Sequence, residues 1–376
     1  MPVVKLPDFY QHDLDRLSQA GRRRMLALAQ GRDFSSNDYL ALAGASALRE
    51  AAVAALERGV ALGSGGSRLL RGNCAEHEAL EERAAAFFEA PSALFLGSGY
   101  AANSLIFATL PQKGDLVLHD ALVHASAHEG MRLSRAPSRA FAHNDVDAAA
   151  DGIAAWRADG GRGTPWIAFE TLYSMDGDRA PVAEFAELAR REGAMLLVDE
   201  AHAVGVFGPH GRGLAAGLHG QDNAIVLATC GKALGCEGAL VMGPPIVRDF
   251  LVNRGRGFIF STAPSPLMAA VAYAALDIAA AADDRRARLA KLVEAAERTL
   301  GHLGIAPSGS QIQPILIGED ARTMEIAAAL QARGFDIRGI RPPTVPAGTA
   351  RLRISLTLNT DEAAVAALGD ALEDIL

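Results

Sequence analysis

The stretch Ala224-Ile-Val-Leu-Ala-Thr-Cys-Gly-Lys-Ala-Leu-Gly235 places one lysine, Lys232, in a short loop between glycines. The apolar run that precedes this loop, residues 224–228, predicts a buried strand. Upstream, Met195-Leu-Leu-Val-Asp-Glu-Ala-His202 predicts a second buried strand, which ends in Asp199 and His202. An acid at one strand end and a lysine in the loop after the next strand therefore mark the candidate site.

An amine and a carboxylate in these positions suit pyridoxal phosphate. The lysine amine forms a Schiff base with the cofactor, and the carboxylate keeps the ring nitrogen protonated so that the ring accepts electrons. Lys232 could also be an ordinary surface lysine, and Asp199 with His202 could belong to a metal site or a hydrolase triad. No further ligand with metal spacing and no Gly-x-Ser-x-Gly motif accompanies them. The sequence therefore predicts pyridoxal phosphate and no metal.

Composition and charge narrow the class of protein. The chain has 376 residues, of which 50% are hydrophobic and 21% charged, as in ordinary globular proteins. A net charge of −8 argues against a general nucleic-acid binder. Three cysteines give no disulfide framework, and the sequence predicts neither a signal peptide nor a membrane span. We therefore expect a cytoplasmic protein with no nucleic-acid or membrane partner.

Apolar strands alternate with helices rich in Ala, Glu and Arg, which predicts an α/β fold with a mainly parallel sheet covered on both faces. We expect an N-terminal helical segment at 1–44 with a short helix within 12–30, a large domain at 45–275 and a smaller α+β domain at 276–376. The predicted strands are 92–96, 115–118, 166–170, 195–199, 224–229, 238–242, 312–317 and 351–357, and the predicted helices include 75–89, 100–110, 146–158, 182–192, 267–282 and 284–303.

Other segments could complete a cofactor site. Leu96-Gly-Ser-Gly-Tyr-Ala-Ala-Asn103 follows a strand and opens a helix, where backbone N–H groups bind phosphate. Its spacing also fits a loose NAD motif, against which Lys232 and Asp199 argue. The glycine-rich residues 63–72 are either a flexible loop or backbone held close to a ligand. His124 follows another strand, on the expected ligand side of the sheet.

Two more segments carry candidate polar contacts. Ser174 precedes Met-Asp-Gly-Asp178, a turn that would set where the serine points. The alternating stretch Arg351-Leu-Arg-Ile-Ser355 predicts a strand with one arginine facing inward. A guanidinium there suits a substrate carboxylate, although a solvated edge strand is the alternative.

These motifs together resemble the α-oxoamine synthases, a family of pyridoxal phosphate enzymes with the aspartate-aminotransferase fold (fold type I). The resemblance extends over nearly the whole chain and implies a seven-stranded, mainly parallel sheet in the large domain. It rests on Gly65-Gly-Ser-Arg68, His124-Ala-Ser126, Ser174-Met-Asp-Gly-Asp178, Asp199-Glu-Ala-His202 and Thr229-x-Gly-Lys232. The segment Ile340–Arg353 is most similar to the family members that act in biotin synthesis.

The resemblance also implies a role for each site residue. Lys232 would carry the cofactor, Asp199 would pair with the ring nitrogen, and His124 would stack on the ring. Further cofactor contacts would come from Gly99, Tyr100, Ser174, His202 and Thr229, and His202 would be catalytic together with Lys232, Asp199 and His124. Thr262 would reach the cofactor phosphate of a partner subunit, which implies a homodimer with shared active sites. Substrate contacts would come from Arg22, Thr344 and Arg353.

By the same resemblance, the reaction joins L-alanine to a pimeloyl thioester, carried by CoA or by acyl carrier protein, with loss of CO2. A glycine-using relative that takes an acetyl or succinyl thioester is one alternative, and a partner subunit without activity is another. Leu70-Arg-Gly72 and the loop after Lys232, Ala-Leu-Gly-Cys-Glu237, depart from the usual family pattern and could alter the acyl preference.

Overall fold

The structure, a computed structural model, describes residues 7–376, and their contacts form two compact units. The larger unit comprises Asn37–Ser174 and Asp178–Arg288. The smaller unit comprises the chain up to Ser36, the insert Met175–Gly177, and Leu289–Leu376.

Strands and helices are numbered along the whole chain. The strands are β1 (Arg32–Asp33), β2 (Ser92–Leu96), β3 (Leu116–Asp120), β4 (Ser138–Phe141), β5 (Pro165–Glu170), β6 (Met195–Asp199), β7 (Ala224–Thr229), β8 (Ala239–Gly243), β9 (Ile312–Gly318), β10 (Phe335–Asp336), β11 (Arg338–Ile340) and β12 (Ala350–Ser355). The helices are α1 (Asp8–Gln19), α2 (Ser46–Glu57), α3 (Ala75–Phe88), α4 (Gly99–Thr109), α5 (Ala125–Leu133), α6 (Val146–Ala158), α7 (Val182–Glu192), α8 (Pro245–Arg254), α9 (Arg256–Ile259), α10 (Pro266–Ala280), α11 (Asp283–Gly301), α12 (Asp320–Ala332) and α13 (Glu362–Glu373).

The larger unit contains a seven-stranded sheet in the order β2-β8-β7-β6-β5-β3-β4. Only β8 is antiparallel to its neighbours, so the sheet is mainly parallel, as predicted. Every residue of β3, β5, β7 and β8 is buried, which shows that both faces of the sheet are covered. The edge strand β4 was missed because three of its four residues are exposed and give no apolar run.

The core of the larger unit comes from the apolar strand residues and the helices that pack on them. Helix α4 buries Ala102, Leu105, Ile106 and Phe107 in this core. Burial of each large apolar side chain stabilises the folded state by about 1.5–3 kcal/mol. Burial of these four side chains fixes α4 in the core, so the side chains that α4 presents are fixed with it. Both tryptophans of the chain also lie in the larger unit, on α6 and β5.

The smaller unit contains a three-stranded antiparallel sheet, β11-β12-β9, and a parallel pair, β1-β10. The predicted boundary at residue 44 is shifted to Ser36, because β1 pairs with β10 and the Ser355 N–H bonds to the Phe34 carbonyl at 2.8 Å. The predicted boundary at 275/276 is shifted to Arg288/Leu289, because α10 packs against α2 and α3 in the larger unit.

The short helix predicted within residues 12–30 corresponds to α1, which begins earlier, at Asp8. Helix α1 ends at Gln19, and Gly21 has a φ of 65°, a left-handed conformation that stops the helix. Residues 22–30 are not helical. The first six residues of the predicted N-terminal segment lie outside the described residues.

Within residues 7–376, no single helix is long and apolar enough to cross a membrane. Helices α10 and α11 meet the length and composition requirements only as a pair, which bends by 71° at the break between them.

Candidate active site

The candidate residues of the larger unit follow the carboxyl ends of strands that run in the same direction, so the fold gathers them at one edge of the sheet. His124 comes after β3, Ser174 after β5, and His202 after β6, which itself ends in Asp199. Lys232 follows β7, which ends in Thr229, and Gly99 with Tyr100 follows β2.

The Asp199 carboxylate is fixed by two donors. One oxygen, Oδ1, accepts the backbone N–H of Ala201 at 2.9 Å, and Oδ2 accepts the side-chain amide of Asn103 at 2.6 Å. Asn103 is 5% exposed and projects from α4. A carboxylate with this support keeps one orientation, which suits the binding of a ring nitrogen cation.

His124 caps the N-terminus of α5 and lies beside the same network. Its Nδ1 is 2.8 Å from the Ser126 hydroxyl and accepts the Ser126 backbone N–H at 3.2 Å. Burial lowers the pKa of His124; the Asp199 charge opposes this effect and the Lys232 charge adds to it. The ring of Tyr100 meets the imidazole edge-on, with centroids 6.3 Å apart. His124 is thus a neutral, oriented ring beside Asp199 and Lys232.

The loop that carries Lys232 is closed by its own backbone. Cys236 N–H donates to the Cys230 carbonyl at 3.0 Å, and Gly235 N–H donates to the Lys232 carbonyl at 2.9 Å. Gly235 has a φ of 67°, and a Cβ there would lie 2.5 Å from the backbone nitrogen of Ala43, so only glycine fits. Lys232 is half-buried in this rigid loop.

The N-terminus of α4 offers a phosphate site. Ser98 accepts the Ala101 N–H at 3.1 Å, while the N–H groups of Gly99 and Tyr100 stand in the first turn of the helix. Thr229 lies next to Gly99, since a Cβ on that glycine would be 3.5 Å from the Thr229 hydroxyl. These three residues can bind a dianion together.

His202 and Ser174 are both buried at the same edge of the sheet. The Nδ1 atom of His202 is 2.6 Å from the Tyr39 hydroxyl, which is in turn 3.0 Å from the Asn37 side-chain oxygen. Ser174 begins the turn that returns at Asp178, where the Tyr173 N–H bonds to the Asp178 carbonyl at 3.0 Å.

The chemistry of this donor set fits pyridoxal phosphate. A lysine amine, a fixed carboxylate and a helix N-terminus match the aldehyde, the ring nitrogen and the phosphate of that cofactor. A further observation is Glu170, at the end of β5, which is 3% exposed and whose Oε1 has no hydrogen-bond partner within residues 7–376. Burial, and after it the neighbouring Asp199 charge, raise the pKa of Glu170 well above its usual range.

Sequence reasoning missed four of these residues: Tyr39, Asn103, Ser126 and Glu170. Asn103, Ser126 and Glu170 stand inside stretches already singled out, whereas Tyr39 does not. The contacts of Tyr39, Asn103 and Ser126 join segments far apart in the chain. Only the strand order reveals those contacts.

Thr262 is exposed, in a segment that pairs with the glycine-rich loop. Ala263 N–H donates to the Gly66 carbonyl at 2.9 Å, and the Ser64 hydroxyl donates to the Ala263 carbonyl at 2.8 Å. A Cβ on Gly72 would lie 2.1 Å from the Gly66 carbonyl oxygen. The same added Cβ would lie 2.8 Å from the Ala263 Cβ, so Gly72 allows the loop to close on Gly66 and to pack against Ala263.

The remaining predicted residues belong to the smaller unit. Arg353 is 7% exposed and donates to the Ser355 hydroxyl at 2.7 Å, while Arg351 is equally buried and pairs with Asp176. Both arginines thus point inward, where one was expected. Arg22 pairs with Asp320 at 2.6 Å, and the Arg24 guanidinium lies 3.5 Å from the Thr344 hydroxyl.

Comparison with known proteins gives consistent matches. The family model for class I and II aminotransferases matches residues 30–371. Proteins named 8-amino-7-oxononanoate synthase from Anaeromyxobacter dehalogenans and from Azoarcus sp. are 43% and 42% identical, each aligned over 98% of this chain and 96% or 97% of their own length.

Solved structures agree with these sequence matches. A Sphingomonas wittichii serine palmitoyltransferase superposes with a TM-score of 0.88 at 27% identity, over 98% of this chain and 96% of that one. An 8-amino-7-oxononanoate synthase of Francisella tularensis gives 0.77 at 27% identity, over 92% and 96%. A serine palmitoyltransferase of S. paucimobilis, solved with a bound PLP-myriocin aldimine, gives 0.87 at 26% identity, over 98% and 96%.

Proposed function

We propose that this chain, which belongs to the class I and II aminotransferase family and, within it, to the 8-amino-7-oxononanoate synthases, condenses L-alanine with a pimeloyl thioester. The products are 8-amino-7-oxononanoate, CO2 and the free thiol carrier, in biotin synthesis. The resemblance to the α-oxoamine synthases, the fold type I architecture and pyridoxal phosphate as cofactor are confirmed by the family and its solved relatives.

One observation carries the proposal: a lysine loop, a doubly supported aspartate and a neutral histidine meet at one sheet edge. Lys232, Asp199 and His124 are close enough for the charges of the first two to alter the pKa of the third. A subunit without activity has no need of this arrangement, which argues against that alternative.

When bound, pyridoxal phosphate supplies an aldehyde that captures amines and a ring that accepts an electron pair. Lys232 would hold the aldehyde at rest and later move the proton at Cα of the amino acid. Asp199 would hold the positive charge on the ring nitrogen, and His124 would cover the ring face and exclude water. The phosphate would lie on Gly99, Tyr100 and Thr229, with Ser174 and His202 on the ring oxygen.

The roles of four further residues rest on the resemblance to the α-oxoamine synthases, and we propose them on that basis. Arg353 would hold the amino-acid carboxylate, and Arg22 and Thr344 would contact the acyl chain. Thr262 would reach the cofactor phosphate of a partner subunit in a homodimer with shared sites, which its exposure supports. We also propose a cytoplasmic location.

A spectroscopic titration tests the substrate. The purified protein should be yellow, and L-alanine should shift its visible band at lower concentration than glycine does. Addition of pimeloyl-CoA or pimeloyl acyl carrier protein should then release CO2 and the nine-carbon amino ketone 8-amino-7-oxononanoate, identified by mass spectrometry. Preference for glycine with an acetyl or succinyl thioester would contradict the proposal and favour the glycine-using relatives. The Lys232→Ala variant is the control, because any product that it forms does not depend on the lysine proposed to carry the cofactor.

A further inference from the structure

We propose that Asn103 is a positioning residue that orients Asp199 and, through Ser126, fixes the tautomer of His124. The inference rests on the proposed function, because it assigns the support of two residues of that site. Asn103, Ser126 and their partners form one hydrogen-bonded chain: Asp199, Asn103, Ser126, His124.

The donor directions along this chain follow from what each group can do. An ionised carboxylate only accepts, so the Asn103 side chain must direct its NH2 group toward Asp199 Oδ2, at 2.6 Å. The second hydrogen of that NH2 group points to the Ser126 hydroxyl oxygen, at 3.1 Å. Asn103 therefore uses both amide hydrogens, one on each neighbour.

The same donor direction extends from Ser126 to His124. Since the Ser126 oxygen accepts from Asn103, its own hydrogen is directed to His124 Nδ1, at 2.8 Å. The Ser126 backbone N–H donates to the same nitrogen at 3.2 Å. An imidazole nitrogen that accepts two hydrogen bonds carries no proton, so His124 is neutral with its proton on Nε2. Its Nε2–H is then the group available to cofactor or substrate.

Helix geometry adds a reason for the asparagine's position. Asn103 and Gly99 are four residues apart on α4 and lie on the same face of that helix. One face of α4 therefore serves both groups. Its first turn offers N–H groups to the phosphate, and Asn103, one turn later, holds the Asp199 carboxylate that would pair with the ring nitrogen. Because α4 is packed into the core, it sets the distance between these two binding groups.

The test uses the holoenzyme and measures cofactor binding without any substrate. Asn103→Ala leaves the Asp199 oxygen and the Ser126 hydroxyl without their donor. We expect the dissociation constant of pyridoxal phosphate to rise about 10- to 100-fold, the effect of losing a hydrogen bond to a charged group. With cofactor labelled by 15N in the ring, the nitrogen signal should move from the protonated toward the unprotonated position. Ser104→Ala is the matched control, since Ser104 is the next residue on α4 and its hydroxyl donates to the Ser126 carbonyl, at 3.3 Å, rather than to the side chains of Ser126 or Asp199.

A second variant keeps the inference testable if Asn103→Ala does not fold. Ser126→Ala retains the Asn103–Asp199 bond, so cofactor affinity should stay within about threefold of the wild type. The imidazole 15N signals of His124 should nevertheless change, because Nδ1 loses its hydroxyl donor. Unchanged His124 signals in Ser126→Ala, or unchanged affinity and ring-nitrogen signal in Asn103→Ala, would overturn the inference. Wild-type protein that binds no pyridoxal phosphate would instead refute the proposed function.

Discussion

Replacing His143 by glutamine is expected to destabilise the larger unit by about 2–4 kcal/mol at neutral pH. The imidazole of His143 bridges two carboxylates, with Nδ1 2.9 Å from Asp120 Oδ1 and Nε2 2.8 Å from Asp178 Oδ2. Asp120 is completely buried. Glutamine can bond to one of these carboxylates but brings no positive charge, so the buried Asp120 charge would lose its compensation.

The magnitude follows from the proton affinity of the histidine. Burial lowers the pKa of His143, but its hydrogen bonds to Asp120 and Asp178 outweigh burial and raise the pKa from 6.5 to about 10. This change corresponds to at most about 5 kcal/mol. The effect in solution is smaller, because the His143 and Asp178 side chains are 28% and 37% exposed. Asp120 also keeps the N–H groups of Leu122 and Asn144 as donors.

The pH dependence distinguishes this explanation from simple loss of packing. A histidine whose pKa is raised by folding stabilises fully below its unfolded pKa, near 6.5, and loses that contribution as pH rises through about 10. Urea unfolding measured between pH 6 and 10 should therefore show the two proteins converging at high pH. The exposed His302→Gln variant serves as control. A difference below about 0.5 kcal/mol at pH 7, or one that stays constant with pH, would refute the reasoning.

Three further predictions concern the site itself. Lys232→Ala should bind pyridoxal phosphate but lose the linkage that borohydride traps; covalent trapping in this variant would mean that another lysine carries the cofactor. Asp199→Asn should keep the fold and the cofactor while turnover falls by orders of magnitude, since an amide cannot hold the ring-nitrogen proton, and near wild-type rates would exclude that role. Heterodimers of Lys232→Ala chains with Thr262→Ala chains should retain one intact site of two if Thr262 acts across the interface; nearly complete loss of activity would assign Thr262 to its own subunit.

The sequence predicted the central sheet closely, because apolar runs of strand length have few alternative structures. The strands 92–96, 195–199 and 224–229 have the bounds expected for them. The residues that follow these strands could be assigned to one edge because parallel strands leave their carboxyl ends together. The short N-terminal helix was predicted too far along the chain, since the arginines at 22–24 have high helix propensity but Gly21 adopts a left-handed φ.

The hydrogen bonds that hold Asp199 and His124 in place could not be predicted in the same way. Asn103 is one of several polar residues in its segment, and its role depends on α4 packing against α5 and bringing Asn103 to the end of β6. Hydrophobic periodicity identifies the buried face of a helix, but it does not identify the strand or helix that packs against that face. The roles of Arg22, Thr344, Arg353 and Thr262 stay predictions for experiment.

The location of the two tryptophans has a practical consequence for folding experiments. Trp156 and Trp166 are both 7% exposed and both belong to the larger unit. Fluorescence excited at the indoles will therefore report the unfolding of that unit alone, whereas far-ultraviolet circular dichroism will report helices of both units. Coincident transitions from the two probes would show that the units unfold as a single cooperative system. Separated transitions would give each unit its own stability and reveal which one the cofactor protects.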